Sequence, residues 1–99
     1  MKTKQDDLKT VRRIILDGLK GHKAKVFLYG STAKGEASQG SDIDVAVATL
    51  KPLPPGLLSA IREALDESPV PYPVELIDLS LVSPDWAEQI QKQGILWSD

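Results

Sequence analysis

The sequence predicts a mixed α/β fold in which a small sheet of three to four strands carries helices mainly on one face. Two observations lead to this class. Apolar residues recur at a spacing of three to four in several segments, which is typical of amphipathic helices. Short apolar runs bounded by Gly or Pro lie between those segments and favour strands. The resulting order, α-β-α-β-α-β-α, implies a sheet covered by helices.

The first half of the chain is predicted to contain a long helix and two strands. Residues 6–19 form the helix, because apolar side chains recur there every three or four positions and Gly21 then provides a stop. Residues 24–29 form a strand whose three successive apolar residues indicate burial on both faces. A single helical turn over residues 31–34 and a Gly-rich loop precede the second strand, residues 42–48.

The second half is predicted to contain two helices and one strand. A proline-containing linker over residues 51–56 leads into an amphipathic helix over 56–67. Three prolines spaced two apart then force extended chain, which favours a third strand over 74–79. Ser83-Pro84-Asp85 combines a cap, a first-turn proline and a first-turn acid, so the last helix begins there and runs to Gln93, before a short apolar tail.

Composition restricts the classes of function. We expect residues 1–99 to form one domain, since the chain has no room for a second core. A net charge of −2 argues against a protein that grips long nucleic acid, which needs a basic face. The lack of cysteine excludes a disulfide framework and a thiolate metal site. Because no apolar run approaches membrane-spanning length, no membrane association and a cytoplasmic location are expected.

Two carboxylates on the second predicted strand carry the strongest chemical signal. Asp42 and Asp44 point to the same face because strand side chains alternate, whereas Ile43 points to the core. Two acids held this close repel each other unless a cation lies between them, and their oxygens suit Mg²⁺. The upstream Gly30-Ser31 turn can present backbone N–H groups to a phosphate. Together these features predict phosphoryl or nucleotidyl transfer.

A third carboxylate is expected from the third predicted strand, which offers Glu75 and Asp78 on opposite faces. Glu75 is preferred, because a charge inside a strand of apolar residues is costly without a partner. Asp78 is the alternative, although an acid near the strand end can instead cap a turn. Glu75 could also be an edge-strand charge that discourages aggregation.

These motifs resemble the DNA polymerase β-type nucleotidyltransferase superfamily. The resemblance rests on Gly30-Ser31, ten further residues, Ser41 and Asp42-x-Asp44, with an acid in the following strand, and it covers residues 26–79. The Gly-Ser-x-Ala-x-Gly-Glu-Ala run over residues 30–37 is similar to the minimal nucleotidyltransferase (MNT) branch. The resemblance implies the nucleotidyltransferase fold.

The resemblance also implies residue roles at the acids. Asp42 and Asp44 would ligate Mg²⁺, with two ions expected in the complete site. Glu75 would complete the metal site and help to deprotonate the acceptor hydroxyl. It stands where relatives more usually carry Asp.

Four further residues are implied to bind the nucleotide. Gly30 and Ser31 would hold the triphosphate through backbone N–H groups and the serine hydroxyl, and Lys34 would neutralise a phosphate. Ser41 would bond backbone next to the metal site. Thr32 stands where many relatives carry Arg.

The resemblance finally implies a substrate pair and a partner. Minimal domains of this branch transfer AMP from ATP to a tyrosine hydroxyl of a helical HEPN toxin and so act as antitoxins. Since the predicted elements occupy all 99 residues, the acceptor is expected on another protein. Two alternatives stay open: a binding protein that neutralises its partner without catalysis, and a subunit of a small-molecule nucleotidyltransferase.

The remaining aromatic residues are expected to serve packing. Tyr29 is predicted to be a core residue at the strand end, with contact to the nucleotide as the alternative. Trp86 and Trp97 are predicted to be packing groups rather than platforms for a base.

Overall fold

The computed structural model describes residues 4–30 and 42–97. Its elements in chain order are α1 (Lys4–Gly18), β1 (Ala24–Tyr29), β2 (Ile43–Thr49), α2 (Leu57–Asp66), β3 (Val74–Asp78), a 3-10 turn (Leu79–Leu81), α3 (Pro84–Gln93) and β4 (Ile95–Leu96). The helical turn predicted over residues 31–34 lies outside the described residues. The predicted mixed α/β class is confirmed, and the apolar tail adds a strand, β4, that was not predicted.

The four described strands form one mixed sheet in the order β3-β2-β1-β4. β1 runs antiparallel to both of its neighbours, β2 and β4. β2 and β3 are parallel, and α2 provides the crossover between them. In this order β3 is one edge of the sheet, and β2, which carries Asp44, lies between β3 and β1.

The main core lies between one sheet face and the helices α1 and α2. Val11 and Ile15 of α1 and Ile61 and Leu65 of α2 are buried there against the β2 side chains that alternate inward. The two helices approach closely at Gly18, where an added Cβ would lie 2.5 Å from Ile61 Cγ1. Two of the three described helices therefore cover the same face, as predicted.

The third helix, α3, packs on the opposite face. Phe27, Ala46, Leu79 and Ile90 form a second, smaller core there. The sequence predicts that the small, acidic face of β2 is reachable by solvent or ligand, but Ala46 on this face is fully buried. Its short side chain leaves room for Ile90 of α3 and Leu79 of the 3-10 turn. The end of this face that carries Asp44 stays partly exposed.

Polar contacts fix both edges of the sheet. Arg62 of α2 donates from Nε and Nη2 to the Leu76 carbonyl oxygen of β3, at 3.2 and 2.8 Å. At the other edge, the Trp97 N–H donates to the Val26 carbonyl at 2.7 Å, and Arg12 Nε donates to the Trp97 carbonyl at 3.0 Å. The edge strand β3 is thus held by a side chain of α2, and the end of β4 is held by the backbone of β1 and a side chain of α1.

None of the helices within residues 4–30 and 42–97 has the length and apolar content needed to cross a membrane.

Candidate active site

The register of three strands brings three polar side chains into one row. Tyr29 of β1 is opposite Asp44 of β2, and Asp44 is opposite Glu75 of β3. Paired residues on neighbouring strands point to the same face, so their side chains are neighbours. Asp42 immediately precedes β2, close enough for its charge to act on Asp44.

The pKa of Asp44 is shifted by its burial and by the neighbouring acids. Burial raises the pKa of Asp44 above its ordinary value, and the charges of Glu75 and Asp42 raise it further. A hydrogen bond between the Asp44 and Glu75 carboxyl side chains acts in the same direction. Two carboxyl groups in this arrangement are most stable when they share a proton or face a cation.

Gly30 ends β1 directly against this acid pair. Its φ of +76° lies in the left-handed region, which side chains other than glycine rarely adopt. A Cβ added there would lie 2.5 Å from Asp44 Oδ2. Glycine is therefore required both by the backbone conformation and by the close approach of the carboxylate.

The structure distinguishes the two acids of β3. Glu75 points toward Asp44, whereas Asp78 ends the strand and caps the 3-10 turn. Asp78 Oδ1 accepts hydrogen bonds from the Ser80 N–H at 2.8 Å and the Ser80 hydroxyl at 2.7 Å. Capping was the role that the sequence offered for Asp78.

Three of the predicted nucleotide-binding residues, Ser31, Lys34 and Ser41, lie outside the described residues. Among the side chains that are described, no group of three or more His, Cys, Asp or Glu has the geometry of a metal site. The donor chemistry of the acids nevertheless fits Mg²⁺. Their oxygens are hard ligands, and a divalent cation would offset the repulsion from Glu75 and Asp42, which adds to the effect of burial on the pKa of Asp44.

Tyr29, which the sequence predicts to be a core residue at the strand end, is a direct neighbour of the acids. Burial raises its pKa to about 12, and the charges of Asp44 and Glu75 add to the effect. Its ring also meets Trp86 of α3 edge to face, with centroids 6.3 Å apart. Strand alternation alone could not identify this neighbour, because the register between β1 and β2 had to be known first.

The raised pKa of Tyr29 makes a measurable prediction. A difference titration of phenolate absorbance, wild type minus Tyr29→Phe, should give a midpoint near 12 instead of the ordinary 10.0. Since the folded protein retains this proton more tightly than the unfolded chain, the free energy of unfolding should fall as pH rises between those values. Far-UV circular dichroism at each pH shows where the protein is still folded, and only those points are used to fit the titration. A midpoint near 10 would show that Tyr29 is not shielded beside the acids.

Comparison with known proteins identifies the family. The family model described as "Polymerase beta, Nucleotidyltransferase" matches residues 18–98. A probable protein adenylyltransferase, MntA of Haemophilus influenzae, is 37% identical over 67 residues, which are 68% of this chain. The chain spans 59% of the length of that curated relative.

Two solved structures share the fold. A chain from the crystal structure of a toxin-antitoxin with AMP-PNP is 28% identical, with a TM-score of 0.62 over 88% of this chain and 72% of that one. A protein assigned as a minimal nucleotidyltransferase is 27% identical, with a TM-score of 0.70 over 89% of this chain and 90% of its own. The match of the family model over most of the sequence, on a fold that pairs the predicted acids, shows that this chain belongs to the polymerase beta nucleotidyltransferase family.

Proposed function

We propose that the protein is a Mg²⁺-dependent nucleotidyltransferase that moves AMP from ATP onto a hydroxyl of a partner protein, a HEPN-type toxin, and so acts as an antitoxin. The observation that carries the proposal is the hydrogen-bonded pair of Asp44 and Glu75 beside the Gly30 bend. The name of the Haemophilus influenzae relative supports adenylyl transfer to protein. The similar toxin-antitoxin structure with AMP-PNP supports the donor and the setting.

The three acids would hold the metal. Asp42, Asp44 and Glu75 supply carboxylate oxygens at the open end of the sheet face, where solvent and substrate can reach them. Bound Mg²⁺ would neutralise phosphate charge and lower the pKa of the attacking hydroxyl. Glu75 and Asp44 are held in fixed positions by strand pairing, and the Arg62 hydrogen bonds to Leu76 secure the edge strand that carries Glu75.

The remaining roles follow from the chemistry of the transfer. The acceptor oxygen attacks the α-phosphorus of ATP, the bond to the β-phosphate oxygen breaks, and pyrophosphate leaves. Glu75 accepts the hydroxyl proton. Gly30 and Ser31 orient the triphosphate, Lys34 balances its charge, and Ser41 supports the backbone beside the acids. Because ATP is the donor, the proposal places the protein in the cytoplasm.

Residues 1–99 are proposed to act as one catalytic domain, with the acceptor supplied by the partner. A non-catalytic binder would need neither Glu75 beside Asp44 nor a glycine against that pair. A small-molecule nucleotidyltransferase subunit would use the same acids with a different acceptor. Partner modification therefore separates the three functions.

Co-expression with a HEPN-type toxin tests the proposal. We expect the intact mass of the toxin to increase by one or more AMP units with the wild-type protein and not with Asp42→Asn. Asp66→Asn, at the exposed end of α2, is the matched control and should modify the toxin normally. Toxin that is neutralised without a mass change would identify a binder. Label from ATP that appears only on a small molecule would identify the third function.

A further inference from the structure

A cleft of about 270 Å³ lies beside the acid row, on the side of β1. It is lined by Tyr29, Gly30, Trp86, Gln89, Ile90 and Gln93. Tyr29 connects it to the acids, since it faces Asp44 on one side and meets Trp86 on the other. The cleft therefore adjoins the proposed catalytic site.

One face of α3 forms the wall of this cleft. Trp86, Gln89 and Gln93 recur at helical spacing and so lie on the same side of the helix. Ile90 is buried in the smaller core and anchors that side over β1. Trp86 stays 44% exposed, so part of its indole is available to a ligand.

The lining chemistry suits a neutral, flat ligand. No charged side chain is among the described residues that line the cleft, which makes it a poor site for phosphate groups. The two glutamine amides offer both donors and acceptors, the combination that the polar edge of a nucleobase requires. Aromatic rings provide surfaces on which bases stack.

The position of the cleft assigns it to the donor nucleotide. Glu75, the proposed proton acceptor, lies on the opposite side of Asp44 from Tyr29, so the acceptor hydroxyl enters from the β3 side. The cleft lies on the β1 side and includes Gly30, where the triphosphate is proposed to bind. We infer, on the basis of the function proposed above, that the Trp86–Gln89–Gln93 face of α3 is the nucleobase subsite of the donor.

This inference reverses the expected role of Trp86. The sequence predicts a packing group in preference to a platform for a base. In the structure, Trp86 is partly exposed beside two amides and an edge-to-face tyrosine. That combination is not visible from the sequence, since it depends on α3 crossing β1.

Binding of AMP-PNP, with Mg²⁺ present, measured by calorimetry tests the subsite. We expect the double variant Gln89→Ala/Gln93→Ala to bind AMP-PNP at least tenfold more weakly than the wild type, and Trp86→Ala to lose about tenfold. Inorganic tripolyphosphate, which lacks a base, should bind both variants as it binds the wild type. Gln91→Ala is the matched control, because Gln91 lies on the same helix and lines a different cleft.

A panel of ATP, GTP, CTP and UTP identifies the base. The wild type should prefer one of them, and the double variant should lose that preference. Equal AMP-PNP affinity in the double variant and the wild type, or an equal loss of tripolyphosphate binding, would overturn the subsite while leaving the proposed transfer intact. A wild-type protein that binds no nucleotide would overturn both. Thermal unfolding of each variant confirms that the exposed substitutions leave the fold unchanged.

Discussion

Asp44→Asn should reduce AMP transfer by about 10²–10³-fold, the loss typical of removing a group that stabilises transition-state charge. The charges of both Glu75 and Asp42 act on Asp44, so its carboxylate is the central one of the three acids. Loss of one oxygen charge removes a metal ligand without removing side-chain volume. Label transfer from ATP, compared with the wild type at saturating Mg²⁺, measures the effect.

The same substitution should stabilise the metal-free protein. The pKa of Asp44 is raised in the folded state, so the stability that this group contributes is present at low pH and is lost as pH rises through that pKa. Asn carries no such titration, and relief of like charge across paired strands is worth about 0.5 kcal/mol. In EDTA at neutral pH, Asp44→Asn should therefore unfold at a higher temperature than the wild type. Mg²⁺ should raise the unfolding temperature of the wild type alone. A variant that stays active, or that Mg²⁺ stabilises equally, would remove Asp44 from the site.

Gly30→Ala should lose both activity and stability. Alanine at a φ of +76° costs about 1–2 kcal/mol of unfolding free energy, and its Cβ would lie 2.5 Å from Asp44 Oδ2. Something must shift, and the carboxylate is the nearest group. We expect transfer to fall at least about 100-fold, because small displacements at a reacting centre have effects of this size.

Gly21→Ala separates crowding from backbone strain. Gly21 has a similar φ of +88°, but a Cβ there would meet nothing within 4 Å. This variant should lose a similar 1–2 kcal/mol for its backbone and retain full transfer activity. Chemical denaturation measures the first quantity and label transfer the second. Equal activities for the two alanine variants would mean that the close approach of Gly30 to Asp44 has no role in the site.

The elements that sequence reasoning located well have strong local signals. β1 has the predicted bounds, since three apolar residues in succession are bounded by a lysine-rich turn and a glycine. α3 begins where Ser83 caps it and proline occupies the first turn, and Ser83 Oγ accepts the hydrogen bond from the Trp86 N–H. Helix α2 also lies within a residue of its prediction at each end.

What local signals could not provide is the packing direction and the register. The amphipathic pattern of α3 shows that one side is buried, but not which face of the sheet buries it, so coverage of Ala46 was not expected. Alternation places Asp42 and Asp44 together, but it is the parallel register that puts Glu75 next to Asp44. Tyr29 is next to Asp44 because of the antiparallel register between β1 and β2. The long connection between these two strands does not specify that register.

The strand order has a consequence for folding during synthesis. The last described strand pairs with the first, and the Trp97 N–H donates a hydrogen bond to the Val26 carbonyl, a contact between residues that are far apart in the sequence. On the ribosome, α1 and the first hairpin emerge early, but the sheet cannot close until residues 95–97 leave the exit tunnel. Contacts so distant in sequence slow folding. The nascent chain therefore leaves one edge of β1 unpaired until β4 has emerged.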